Sequence, residues 1–203
     1  EQGIPIREDK IVGNGFKPFP TYTMTERLVI SGFGGQGIMF LGKLIAWVAM
    51  QEQKFVTFLP AYGAEVRGGT SHCSIIISDK EIASPYADCI DTLIAMNSPS
   101  VIKFIAKVKR GSDVFVNSAM VENIPHPKGV NLYLINFSEI AFNIGSIKSA
   151  NMVALGAYLA KKNVIAAESV IKVLPQAFKH NNRLVRLNEE ALRQGEKILI
   201  ERQ

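Results

Sequence analysis

The sequence predicts an α/β domain in which a mainly parallel, twisted sheet carries helices on both faces. Three observations lead there. Short β-branched, apolar runs alternate with longer helix-forming runs along the chain. A glycine cluster, Gly32-Phe33-Gly34-Gly35-Gln36-Gly37, joins the first such strand to the first long helix. Strand signals stop after residue 136, and helix signals fill the remainder. Together they describe a Rossmann-like, three-layer arrangement of strand, turn and helix units.

The elements follow in order. Residues 1–23 hold three prolines and three glycines without sustained periodicity, so they are expected to form a leader outside the core, with the domain proper over 24–203. Arg27–Ser31 reads as a buried parallel strand. Ile38–Met50 is apolar at almost every position apart from Lys43, too long for a typical strand and rich in helix formers. Lys54–Leu59 is the next strand, ending at Pro60, and Ser71–Ile77 follows it, with Asp79-Lys80 turning the chain. Cys89–Met96 is strand-like. Pro99–Val108 is predicted as a helix with Ser98 as its cap and Pro99 in its first position. Asp113–Asn117 and Val130–Asn136 supply two more strands. Helices are expected at Ser149–Lys162, ended by Asn163, at Ala167–Phe178 and at Asn181–Ile200.

The glycine cluster is the first candidate site. Glycines permit positive φ and remove side chains, so that successive backbone N–H groups at a helix start can surround an anion such as a phosphate. The same glycines would also let helix and strand pack closely with no ligand involved. Gly32, Gly34 and Gly37 fit the spacing of the dinucleotide fingerprint, but the strand after the helix ends at Pro60, where a ribose-binding acid belongs, and the first acid afterwards is Glu65. NAD binding is therefore disfavoured. A Walker-type phosphate loop fails as well, because neither Lys nor Ser/Thr follows Gly37.

The second candidate is the stretch Ala61-Tyr62-Gly63-Ala64-Glu65-Val66-Arg67-Gly68-Gly69-Thr70, which combines glycines with one acid, one base and one aromatic. In α/β sheets ligands gather where loops leave the carboxyl ends of strands, so this loop and the glycine cluster are expected to face one crevice. Glu65 and Arg67 could equally form an ion pair that braces the loop.

Composition narrows the classes. The 203 residues are 47% hydrophobic and 20% charged, enough for one sizeable core. No apolar stretch reaches the roughly 20 residues of a membrane span, and residues 1–22 contain no apolar signal core, so the cytoplasm is the expected compartment and no membrane is expected as a partner. Net charge is +5, yet the basic residues are dispersed, without aromatic interleaving, which argues against nucleic acid and suits an acidic partner or a phosphorylated small molecule. Two isolated cysteines, Cys73 and Cys89, and three isolated histidines, His72, His126 and His180, form no metal or cluster motif. No nucleophile constellation is visible either. The helices at 38–50 and 151–160 lack a wide polar face, so they are either covered by a partner chain, including a second copy, or central in this domain's own core.

The residues also carry a resemblance. The turn at Gly32–Gly37, the AYGAEVRGGTSHC segment at Ala61–Cys73 and the NMVALGA run at Asn151–Ala157 resemble the gamma subunit of 2-oxoacid:ferredoxin oxidoreductases, over about Glu26 to Ile200. Tyr-Gly-x-Glu-x-Arg-Gly-Gly is the most specific of the three. One departure is Ala64, where the family often has Pro. The overall sequence is most similar to the 2-oxoglutarate branch, with pyruvate and branched-chain oxoacids as alternatives. The resemblance implies a non-autonomous oxidoreductase subunit that is inactive alone and works with alpha and beta catalytic subunits and a ferredoxin-like delta subunit. Those chains hold thiamine diphosphate and iron–sulfur clusters, while the gamma domain is associated with the coenzyme A step. On that basis Gly32, Gly34, Gly35, Gln36, Gly37, Tyr62, Gly63, Glu65, Arg67, Gly68 and Gly69 are the expected coenzyme A-facing residues, with Arg67 receiving an anionic group, Tyr62 packing nearby and Glu65 orienting Arg67.

Overall fold

Every strand predicted from the sequence finds a place in one six-stranded sheet. The computed structural model describes residues 24–61, 70–125 and 127–200. The strands are β1 (Thr25–Phe33), β2 (Phe55–Ala61), β3 (Thr70–Ser78), β4 (Ile90–Ala95), β5 (Val108–Asn117) and β6 (Asn131–Ile135), in the spatial order β2-β3-β1-β4-β5-β6. The pairs β1–β4, β4–β5 and β5–β6 are parallel, whereas β3 runs antiparallel to both β1 and β2. Five strands therefore point one way and β3 alone is reversed.

The helices are α1 (Ile38–Gln51), α2 (Ser98–Phe104), α3 (Phe137–Asn143), α4 (Ala150–Lys161), α5 (Ala167–Ala177) and α6 (Asn182–Ile200). They divide unequally between the faces. Side chains of α1, α3, α4, α5 and α6 share one core with Leu28, Ile30, Ile75 and Ile94 of the sheet. On the opposite face, α2 lays Val101 and Phe104 over Val29, Leu93, Val114 and Val116. Phe55 and Leu59 of the edge strand β2 remain exposed.

The two apolar helices are covered from within. Every residue from Ala150 to Leu159 is buried, and α6 crosses α4 so closely that a Cβ on Gly156 would collide with the carbonyl of Leu192, and one on Gly195 with the carbonyl of Val153. Glycine at both positions lets the backbones touch. Along α1, Leu41, Leu44, Ile45 and Val48 face the core, and Phe40 meets Phe178, just past α5, at 5.1 Å between ring centroids. Of the two explanations for these helices, central burial is the one observed.

Four local readings need correction. The helix predicted over Pro99–Val108 ends at Phe104 and tightens into a 3-10 turn over Ile105–Lys107, because Val108 pairs with Ile90 and begins β5 five residues earlier than expected. Its cap is Asn97 rather than Ser98: the Asn97 side-chain oxygen accepts from Ser100 N at 3.0 Å, which moves Ser98 and Pro99 into the first turn. Helix α3 was not anticipated, although Asn136 and Glu139 carry its signature. Asn136 Oδ1 accepts from Glu139 N at 3.0 Å and Asn136 Nδ2 donates to the Glu139 carboxylate at 2.8 Å. Helix α4 ends at Lys161 with Lys162 as its extended cap, so Asn163 lies beyond it.

At the amino ends of the strands, on the α4 side, lies a buried polar group. The Asp113 carboxylate accepts from Lys162 Nζ at 2.8 Å, Asn131 Nδ2 at 3.0 Å and the Tyr133 hydroxyl at 3.2 Å. Four donors' worth of acceptor capacity is thus largely filled, which is what makes a buried carboxylate tolerable. Glu26 is buried nearby, and burial, the dominant effect, raises its carboxyl pKa above the ordinary 4.5.

Candidate functional site at the switch point of the sheet

The chain leaves β1 through α1 toward β2 and leaves β4 through α2 toward β5, in opposite directions from two adjacent parallel strands. Such a divergence opens a crevice at the carboxyl ends of the pair, the position where doubly wound sheets bind ligands. The glycine cluster sits at this point.

Strand β1 runs on through Gly32 and Phe33, so the turn proper is Gly34-Gly35-Gln36-Gly37. Gly35 and Gly37 have φ of 92° and 73°, in the region where only glycine is unstrained. Gly37 is the residue before α1, and no side chain caps that helix among the described residues. Ile38, Met39 and Phe40, the first turn of α1, line a groove of about 390 Å³ with Phe33, Gly34, Gly35, Gly37 and Ser71. Uncapped N–H groups at the positive end of a helix dipole make that groove a fitting place for an anion.

Gln36 has an inward role. Its Oε1 accepts from Phe33 N at 2.7 Å and from Asn97 Nδ2 at 3.3 Å, and its Nε2 donates to the Met96 carbonyl at 3.4 Å. Behind it a chain of buried groups continues: Asn97 Oδ1 accepts from Ser100 Oγ at 2.7 Å, and Ser31 Oγ donates to Ser100 Oγ at 2.9 Å. On the other side Asn151 Nδ2 donates to the Gly37 carbonyl at 3.3 Å. The turn is thereby fixed to β1, β4, α2 and α4.

A second cavity, of about 230 Å³, opens on the other side of the turn. Gly35, Gln36, Met96, Asn117, Met120, Ser138, Ile147, Lys148 and Ala150 line it. Asn117 and Ser138 bond to each other, through Asn117 Nδ2 to Ser138 Oγ at 2.8 Å and Ser138 N to Asn117 Oδ1 at 3.4 Å. Sequence reasoning missed Ser31, Asn97, Ser100, Asn117, Met120 and Lys148. Only Asn97 announces itself locally, as a cap before Ser-Pro; the others come from distant segments.

Tyr62, Gly63, Glu65, Arg67, Gly68 and Gly69 lie outside the described residues. The flanking pairs fix where that stretch departs and returns: Ala61 pairs with His72, and Thr70 with Phe33, at the end of β1 where the glycine turn begins. Beside this point the His72 ring packs on Phe104 at 4.8 Å, and Lys103 Nζ donates to Thr70 Oγ1 at 3.3 Å. Burial, then the charges of Lys103 and Lys107, lower the His72 pKa, so the imidazole stays neutral.

The described residues do not form a cluster-type metal site. No group of three His, Cys, Asp or Glu side chains comes together among the described residues, Cys73 is buried with its thiol pKa pushed up to about 12, and Cys89 is separately exposed. No helix among the described residues is long and apolar enough to cross a membrane.

A glycine turn at the switch point, an uncapped helix start and an adjoining apolar crevice mark a Rossmann-like α/β domain with a candidate ligand site. Comparison with known proteins is specific: the chain belongs to the pyruvate ferredoxin/flavodoxin oxidoreductase family, whose model matches residues 27–198. It is 34% identical over 172 residues to the ketoisovalerate oxidoreductase subunit VorA of Methanothermobacter marburgensis, covering 83% of this chain and 35% of that one. It is 32% identical over 154 residues to the 2-oxoglutarate synthase subunit KorC of Methanocaldococcus jannaschii, covering 74% and 82% respectively. The chain thus spans about a third of the first relative and most of the second. Among solved structures, the gamma subunit of a keto/oxoacid ferredoxin oxidoreductase from Geobacter sulfurreducens superposes with a TM-score of 0.75 at 30% identity, covering 87% of this chain and 99% of that one. The 2-oxoglutarate:ferredoxin oxidoreductase from Magnetococcus marinus, with 2-oxoglutarate, coenzyme A and succinyl-CoA bound, gives 0.77 at 26% identity, over 88% of this chain and 31% of that one. The match is to the gamma subunit of the 2-oxoacid:ferredoxin oxidoreductases, as the glycine motifs imply.

Proposed function

We propose that this chain is the gamma subunit of a multi-subunit 2-oxoglutarate:ferredoxin oxidoreductase of the cytoplasm, that it helps to form the coenzyme A site, and that it holds the assembly together. The observation carrying this reading is the uncapped start of α1 behind a braced glycine turn at the switch point, in a chain whose likeness extends over most of a 2-oxoglutarate synthase subunit. The complete reaction converts a 2-oxoacid carboxylate and coenzyme A thiol to acyl-coenzyme A and carbon dioxide, releasing one proton and two electrons to ferredoxin. Thiamine diphosphate and iron–sulfur clusters belong to the alpha, beta and delta partners in this reading, and this chain is inactive alone. Its own contribution is to bind and orient coenzyme A through backbone donors of Gly34–Gly37 and the α1 start, with Arg67 as a charged contact.

A docking role without ligand contact is the rival reading, favoured by the exposed Phe55 and Leu59 on the edge strand β2. Arg67→Ala in the reconstituted complex separates the two. A charge-assisted hydrogen bond of about 1.5–3 kcal/mol predicts a roughly ten- to hundredfold rise in the coenzyme A KM, with oxoacid-dependent carbon dioxide exchange preserved. An unchanged KM with intact assembly removes the ligand role of the 62–69 loop. Matching assembly defects in Arg67→Ala and Glu65→Ala identify a loop-bracing pair instead.

A further inference from the structure

We infer that the corner between α5 and α6 is a docking surface for an acidic face of a partner subunit, with Lys179, Arg183 and Arg186 as its charged contacts. The inference rests on the reading of this chain as one subunit of an assembly and adds to it a place where charge holds that assembly.

The chain carries 23 basic and 18 acidic residues. Four of the basic ones, Lys172, Lys179, Arg183 and Arg186, and none of the acidic ones lie in residues 169–188, which leaves 19 against 18 elsewhere. Basic residues are dispersed along the chain, but the excess that makes its net charge +5 belongs almost wholly to this corner. All four are exposed, and none makes an ion pair among the described residues. The acids nearest in sequence are engaged elsewhere. Arg193 lies 3.7 Å from the Glu168 carboxylate and 3.4 Å from that of Glu189, and Glu190 accepts from Gln194 at 2.7 Å.

The corner is held in one shape. Lys179 and His180 have φ of 49° and 59°, left-handed values that residues other than glycine rarely adopt. Their backbone is tied back to α5: Lys179 N donates to the Gln176 carbonyl at 3.1 Å and His180 N to the Pro175 carbonyl at 2.7 Å. Asn181 Oδ1 accepts from Leu184 N at 3.2 Å across the first turn of α6. Arg183 and Arg186 follow three positions apart, on neighbouring turns of one helix face. Cations on such a frame need little further ordering when a partner arrives.

Candidate occupants differ in what they need. Single-stranded nucleic acid uses aromatic platforms, and the one aromatic ring beside the turn, Phe178, packs on Phe40. A membrane surface needs an apolar stripe beside the cations, yet Leu184 is the single exposed large apolar side chain in residues 169–188. A row of carboxylates on a folded partner needs spaced cations around a small apolar contact, which is what Lys179, Arg183, Leu184 and Arg186 present.

The test measures association of the full chain with the alpha and beta subunits across a salt series, for the wild type, Lys179→Glu/Arg183→Glu and the conservative Lys179→Arg/Arg183→Lys. Wild-type affinity is expected to fall as salt rises. The reversed pair is expected to weaken association about tenfold or more at low salt, chiefly through a slower association rate, and the conservative pair to retain it. Urea midpoints separate docking from folding. An acid in the first turn of α6 suits the positive end of the helix dipole, so the reversed pair should be no less stable than the wild type, and a lower midpoint alongside weaker association would overturn the docking role. Unchanged association in the reversed pair overturns it too, and if Arg67→Ala still raises the coenzyme A KM, the functional reading stands. A chain that binds neither subunit removes that reading and the inference with it. Binding to an oligonucleotide or to phosphatidylserine vesicles that the reversed pair loses, with subunit association unchanged, assigns the corner to another partner and overturns the inference. A raised coenzyme A KM in a fully assembled reversed pair does the same.

Discussion

Asn151 of α4 donates its side-chain amide to the carbonyl of Gly37 at 3.3 Å, joining the glycine turn to a helix 114 positions later in the chain. The same amide occupies the space a Cβ on Gly37 would need, and Gly37 has φ of 73°. Gly37→Ala therefore combines a left-handed backbone cost of about 1–2 kcal/mol with displacement of the Asn151 brace. We expect lower urea midpoints and weaker coenzyme A binding together. A variant with wild-type stability would show that the turn can re-form without this contact.

Gln36→Ala leaves the Phe33 N–H without its partner and loosens Asn97. The expected loss of stability is about 1–3 kcal/mol, measurable by equilibrium unfolding. Gln36→Glu keeps the acceptor toward Phe33 and Asn97 but replaces the donor that reaches the Met96 carbonyl with an oxygen that repels it. It is expected to be destabilising as well.

Glycine-to-alanine changes in a helix interior usually stabilise by up to about 1 kcal/mol. At Gly156 and Gly195 the sign reverses, because the new methyl meets backbone of the crossing helix, which cannot rotate away. A destabilisation of about 1–3 kcal/mol is expected for either substitution. Thermal unfolding of the two single variants and the double variant should also show non-additivity, since one separation of α4 from α6 relieves both collisions.

Glu26 gives stability a pH dependence of defined sign. Burial raises its folded-state pKa above the ordinary 4.5, so the folded form binds the proton more tightly than the unfolded form. Its contribution is fully present below pH 4.5 and is lost as pH rises through the higher folded value. Glu26→Gln should flatten this part of the stability curve and stabilise the protein near neutral pH. Denaturant midpoints between pH 4 and 8 for both proteins are the measurement, and a Gln variant with an unchanged slope would remove Glu26 as the cause.

Strand positions were legible in the sequence because β-branched runs bounded by turn residues have few other readings, and the long helices because of their length. The limits of α2 and β5 were not, since Val108 is assigned by its ladder partner Ile90, a non-local choice. Nor was the reversal of β3, which hydrophobicity alone does not encode. The glycine turn could be located, but the brace that holds it could not: Gln36, the local Asn97–Ser100 cap and Asn151 come together only in three dimensions. The side-chain bonds of Gln36 to Phe33, Met96 and Asn97 are likewise invisible from its place among glycines.

The reversed strand also has a meaning for how such domains diverge. A parallel successor to β2 would need a crossover spanning the sheet, so any change in length there would disturb packing. With β3 antiparallel, residues 62–69 join adjacent strands at the glycine-turn end of the sheet, Ala61 and Thr70 being held by His72 and Phe33. The segment is a cassette with both ends anchored. Exchanging it between members of the family is thus a graft onto a fixed frame, with the layers beneath left as they are.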